Sequence, residues 1–234
     1  MKYKTHAIFS RPSLVLAASL ICLTATSQAA TTLIGGGTGS GMTATASVTN
    51  PGGWVATNTI NGSGLNTSTG VTSGDNSSSN MWVTPNGNDP TTQWIEWNLG
   101  DSYVLDSIHV WNAAFSAANT MSIKGVDIYF SNVAAPGDPE AGGAANWTKL
   151  GGSTATLTLP MATFGANSGF DLETATTTAL PTTAVRWVRF ELNSRYGSAT
   201  GYTGISEIQF FAIPEPSSAL LGAFGFLALL RRRR

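Results

Sequence analysis

The sequence predicts an all-β sandwich, and three observations carry that prediction. Short runs of alternating apolar and polar residues recur between residues 43 and 212, separated by Gly, Asn, Pro and Ser. No heptad-like segment interrupts them. In the last run, Ile208 and Phe210 alternate with Glu207 and Gln209, the period of two that a strand shows when one face is buried. Glu207 stands at the start of that strand, just after a Gly-rich turn. On composition alone, a strand glutamate reads as solvated.

The bulk numbers agree with one domain. A chain of 234 residues holds one domain of ordinary size plus processing segments. With 42% hydrophobic residues, seven tryptophans and only 11% charged residues, it can bury a sizeable core and does not read as disordered. The overall charge of −1 hides an asymmetry, because seven of the twelve basic residues sit at the two ends. Between Ala30 and Ile213, five basic residues face twelve acidic ones, a net of −7. Such a body repels phosphate backbones, so nucleic acid is not an expected partner.

Residues 1–29 read as a secretory signal peptide. Lys2, Lys4 and Arg11 form the basic start, Leu14 to Leu23 the apolar run, and Ser27-Gln-Ala29 a small-x-small cleavage site. The lone cysteine, Cys22, lies inside that run, so the processed chain has no disulfide, zinc–thiolate site or cysteine nucleophile. Residues 30–42 read as a flexible lead. Its glycines from Gly35 to Gly41 follow no strand, open no helix and end in no Lys-Ser or Lys-Thr, so they are not a phosphate cradle.

Strands follow in order. Thr43 to Val48 alternates weakly. In Trp94 to Leu99, Ile95, Trp97 and Leu99 share one face, and Trp94, Glu96 and Asn98 share the other. After a turn at Gly100-Asp101 come Val104–Trp111, Val126–Phe130, Trp147–Leu150, Val185–Leu192 and Ile205–Ala212. Trp82, Trp94, Trp97 and Trp187 are assigned to the core. The stretches Gly62–Asn80 and Val133–Asn146 are long loops, a length that is uncommon unless the loop binds something, is mobile or is an insertion. The lone histidine of this body, His109, reads as a structural or solvated strand residue. No Gly-x-Ser-x-Gly elbow or His-Glu-x-x-His helix occurs.

Four groups of residues stand in a telling order: Asn58-Thr-Ile-Asn-Gly-Ser-Gly-Leu65, Met81-Trp82, Gln93-Trp-Ile-Glu-Trp-Asn-Leu-Gly100 and Val185-Arg-Trp-Val-Arg-Phe190. Together with Trp111-Asn112 and Ile123–Ser131, this order resembles the discoidin family, the coagulation factor V/VIII type C domains and their galactose-binding-like carbohydrate-binding relatives. The resemblance spans about residues 43–212 and implies a galactose-binding-like jelly roll of two antiparallel sheets. Where the family carries Arg-Gly before one strand, this chain has Met121-Ser122.

The resemblance also implies two sites. A structural calcium ion would use the loop Asn61-Gly62-Ser63-Gly64 and Glu207, with Asn61 and Ser63 as loop ligands, because calcium takes many oxygens from kinked loops plus a carboxylate. Calcium-holding relatives carry aspartate where this chain has Asn61, which offers only a neutral oxygen. A plain Asn-Gly turn held by its own hydrogen bonds is the other reading. A sugar site would combine an aromatic platform with polar groups from loops at one end of the sandwich. Phe115, Arg195 and Tyr196 are the candidates, with Asn112 as polar partner. An ordinary exposed loop is the other reading of Arg195-Tyr196.

Residues 213–234 are separate. Ile213-Pro-Glu-Pro216 stops the last strand, since proline cannot donate to a ladder. Ser217 to Leu230 is free of charge, and four arginines close the chain. As a helix, this apolar run reaches only about 21 Å, short of a ~30 Å hydrocarbon core unless flanking residues snorkel. Pro214-Glu215-Pro216, the apolar run and the arginines together resemble the PEP-CTERM sorting signal of Gram-negative bacteria. That resemblance implies transient residence in the inner membrane, processing by an exosortase-type enzyme and a final place at the cell surface or in secreted material.

The expectation is therefore an exported β-sandwich that binds a polysaccharide or other glycan without altering it. A structural matrix protein with no ligand pocket is the first alternative. A glycan-active enzyme is the second, although nothing remains in the chain for a catalytic domain and an enzyme is not expected.

Overall fold

A computed structural model describes residues 31–35, 41–63, 65–66, 71–72, 80–113, 119–153, 155–162, 169–173 and 180–214. Residues 1–29, read above as a signal peptide, Gly64, Phe115, and the residues after Pro214, including Glu215 and Pro216, lie outside the described residues.

The strands are β1 (Thr32–Gly35), β2 (Thr43–Ala46), β3 (Leu65–Asn66), β4 (Val71–Thr72), β5 (Trp82–Val83), β6 (Trp94–Tyr103) and β7 (Leu105–Asn112). They continue with β8 (Ile123–Ser131), β9 (Thr148–Lys149), β10 (Leu157–Thr158), β11 (Gly169–Glu173), β12 (Val185–Arg195) and β13 (Gly204–Ala212). One sheet runs β1-β13-β7-β11, with β5 also on β13. The other runs β10-β8-β12-β6-β2, with β9 also on β8. Every pairing within the two sheets is antiparallel. This is the all-β sandwich that the alternating runs predict, in the jelly-roll form that the family resemblance implies.

Alternation explains how the sheets close on each other. Ile95, Trp97 and Leu99 of β6, Val188, Phe190 and Leu192 of β12, and Ile108, Val110, Ile208 and Phe210 of the facing sheet are all buried in one core. Trp97 joins both layers. Its ring meets Phe190 edge-on at 5.0 Å on the neighbouring strand and Phe210 at 5.9 Å across the interface. Such contacts add about 0.5–1.5 kcal/mol each beyond burial. Its indole N–H donates to Thr59 Oγ1 at 2.9 Å, so the polar atom of the largest core residue is satisfied.

Two expectations need correction. Thr32–Gly35, inside the stretch read as a flexible lead, forms β1 against Phe210–Ala212 of β13. The free edge of β13 offers unpaired backbone there, a stronger pull than the glycines that follow. Trp94 and Trp187 are half-buried on the outer face of their sheet, while Trp82 and Trp97 are fully buried. The alternation of β6 dictates this, since Trp94 shares parity with Glu96 and not with Trp97. Glu207, which composition reads as solvated, is 0% exposed.

Candidate functional site

Strand direction gathers the candidate residues at one end of the sandwich. β7 ends at Asn112, β8 starts at Ile123, β12 ends at Arg195 and β13 starts at Gly204. The segments 53–63, 80–93, 119–122 and 195–203 therefore meet there. Cross-bonds tie them: Tyr196 N–H donates to Ser122 O at 3.0 Å, Thr84 N–H to Thr203 O at 2.8 Å, and Gly201 N–H to Asn88 O at 3.4 Å.

Asn112 is buried, and its amide works inside the fold. Nδ2 donates to the carbonyls of Ile123 (2.8 Å) and Pro160 (2.9 Å), and Oδ1 accepts from Ile123 N–H at 2.9 Å. It fastens the 113–122 connection at its two ends and presents nothing outward.

Arg195 braces the loop that follows it. Its guanidinium donates to the carbonyls of Ser198 (3.0 Å), Thr200 (2.9 Å) and Thr120. Gly201, at φ +145°, closes that loop. A Cβ there would lie 2.7 Å from Arg195 Nη1, and the positive φ itself favours glycine. Tyr196 is half-buried, its hydroxyl donates to Leu159 O at 2.8 Å, and Lys124 Nζ lies 5.9 Å from its ring centroid. Both residues stand at the expected end of the sandwich. Their polar groups organise the loops there.

Among the described residues, the exposed aromatic at this end is Tyr202, 37% exposed, with its ring edge-on to Trp54 at 5.9 Å and 79°. Sequence reading passed over this pair. The available signal was an aromatic inside each of two turn-rich segments, Pro51-Gly-Gly-Trp54 and Gly201-Tyr-Thr-Gly204.

The proposed metal residues do come together, across 145 positions of sequence. Gly62 N–H donates to Glu207 Oε1 at 2.9 Å, Ser63 N–H to Asn61 Oδ1 at 2.8 Å, and Ser63 Oγ to Asn80 Oδ1 at 2.8 Å. A bulge between Ile205 and Glu207 shifts the β13 register, and the 61–63 loop closes over the carboxylate. Glu207 Oε2 is buried and has no hydrogen-bond partner among the described residues. Burial raises the carboxyl from its ordinary 4.5 to about 8, and the Gly62 N–H pulls weakly the other way. An orphaned carboxylate oxygen beside an Asx-turn loop fits a hard cation that takes oxygen ligands. His109 is elsewhere on β7, its ring centroid 4.0 Å from that of Trp111 and tilted by 49°.

Comparison with known proteins gives fold likenesses only. No family model matches the chain, and no curated protein matches it. Among solved structures, the chain is similar to the family 32 carbohydrate-binding module of Clostridium perfringens NanJ, described in complex with galactose. The TM-score is 0.49 and the identity 18%, over 77% of this chain and 98% of that one. A second C. perfringens family 32 module, in complex with GalNAc-β-1,3-galactose, gives 0.48 and 18% over 74% and 96%. An F5/8 type C domain from Bacteroides fragilis gives 0.49 and 15% over 75% and 94%.

Proposed function

We propose that this chain is a non-catalytic carbohydrate-binding domain whose ligand rests on the Tyr202–Trp54 end of the sandwich. The observation that carries the reading is Tyr202 itself, an exposed ring held edge-on by an indole at the loop-bearing end. A sugar ring lays its C–H face on such a platform while nearby loops supply hydroxyl partners. Arg195 and Tyr196 fix those loops. The test is retention of the purified domain on a panel of immobilised glycans, with competition by free sugar. Tyr202→Ala is expected to lower the competable affinity at least tenfold with the melting temperature nearly unchanged. Equal retention by the variant, or polymer retention that no free sugar competes, overturns the reading and favours a matrix protein without a pocket.

Two finer readings belong to the same proposal. Calcium, held by Glu207 with oxygens of the Asn61–Ser63 loop, would lock that loop to the first residues of β13, and the orphaned Oε2 supports it. Export follows the terminal grammar: a basic, apolar, small-x-small start, then Pro214-Glu215-Pro216, an uncharged run and four arginines. These features support passage through the inner membrane of a Gram-negative-type cell, removal of the tail by an exosortase-type enzyme, and a surface or secreted destination.

A further inference from the structure

The outer face of the second sheet carries more charge and aromatic surface than pairing requires. Register lines up Thr45, Glu96, Arg189, Tyr129 and Lys149 across β2, β6, β12, β8 and β9. Arg189, at the centre, is only 1% exposed. Its guanidinium reaches Glu96 Oε2 at 3.4 Å, Asp138 Oδ1 at 3.2 Å and Glu191 Oε1 at 3.2 Å, and lies 4.1 Å from the centroid of the Trp94 ring. A buried arginine held this way is costly in desolvation, and an apolar residue of similar volume serves stability as well. What the arrangement does provide is a fixed acidic wall.

Beside it opens a cleft of about 300 Å³. Trp94, Trp187, Glu96 and Arg189 line it from the sheet, and Ala135 to Asp138 line it from the loop after β8. That volume lies at the small end of ligand sites, of the order of a sugar ring. Two indoles supply the apolar faces that such a ring needs. Charge narrows the class further. Three carboxylates share one guanidinium, and the body around them carries a net of −7. An anionic glycan is repelled here, whereas an ammonium group is drawn to Glu96 and Asp138. We propose that this cleft is a second glycan site, selective for amino sugars that bear a free ammonium group. It lies on the sheet face, away from Tyr202 and Trp54, and stands or falls independently of the loop-end reading.

The test titrates the full β domain with a glucosamine tetramer and with its fully N-acetylated counterpart. The pH is about 5.5, where α-amino-type groups remain protonated. Tryptophan fluorescence and calorimetry give the affinities. The free-amine tetramer is expected to bind at least tenfold tighter than the N-acetylated one, and to weaken as salt rises. Ala135→Lys puts a cation at the cleft from an exposed loop position without removing a partner of Arg189, and should lower that affinity tenfold or more. Glu96→Gln tests the wall directly, with its melting curve as the check on folding. Two results overturn the proposal: no preference for the free amine, or wild-type affinity in folded Ala135→Lys. A lysine-rich peptide that competes more tightly than the tetramer overturns the sugar assignment.

Discussion

At the scale of single residues, Glu207 carries the most consequence, because its charge and its burial conflict. The unfolded chain releases this proton near 4.5, while the folded chain holds it to about 8. Between those values the native state binds more protons than the unfolded state, so stability falls as pH rises, by up to about 1.4 kcal/mol per pH unit. In chelator, wild-type protein should therefore lose melting temperature from pH 5.5 to pH 8. Glu207→Gln, neutral throughout and of the same shape, should flatten that decline. A cation reverses the preference by stabilising the ionised form. At a hundred times its Kd, calcium should add about 2.7 kcal/mol, or roughly 5–10 °C, to wild type at pH 8. The variant should gain little. Differential scanning calorimetry of both proteins, in chelator and in millimolar calcium, separates the two effects. Coincident wild-type curves at pH 8 remove calcium and leave a buried neutral acid.

At the scale of elements, the start of β13 and the loop before it hold the functional end in shape. A Cβ on Gly204 would lie 2.0 Å from the carbonyl oxygen of Trp82, which is backbone and cannot swing aside. Gly204→Ala should thus part β5 from β13 and cost about 1–3 kcal/mol or more, read as a shift in urea midpoint. Arg195→Ala should cost about 0.5–1.5 kcal/mol, because it removes the donor that ties together the carbonyls of Thr120, Ser198 and Thr200. An ordinary exposed loop residue changes stability by no more than ~0.5 kcal/mol. A loss that small would return Arg195 to the solvated class. The same elements show what a sequence can and cannot reveal. Alternation made β6, β7, β12 and β13 readable, because burial on one face acts residue by residue along a strand. It could not reveal that Arg195 folds back onto its own loop, or that β1 adds to the edge of β13. Those depend on which backbone groups three-dimensional closure leaves open. Nor could it show Gly62 over Glu207, a contact spanning 145 positions, although the family resemblance did put the two in one site.

At the scale of the whole molecule, the sandwich has a polarity that bears on how the domain is displayed. β13 starts among the loops at the Tyr202 end, at Gly204, and leaves at Ala212, eight residues later, which at ~3.3 Å per residue is about 26 Å. The exit toward Pro214 is therefore at the opposite end from Tyr202 and Trp54. β1 pairs with β13 at that same exit, so both flanks of the domain meet far from the proposed sugar surface. A tail held in a membrane or in the grip of a processing enzyme leaves the loop end facing away. Full-length protein in detergent and a form ending at Ile213 should then bind a given glycan with the same affinity, within about twofold. If the tail is sorted as its Pro-Glu-Pro, apolar and arginine parts imply, intact mass of surface material should lack the terminal arginines and most of the apolar run. A mature species still ending at Arg234 would remove the processing step while leaving the geometry of display intact. Weaker binding by the full-length form would instead place the tail across the loop end, against the direction in which β13 runs.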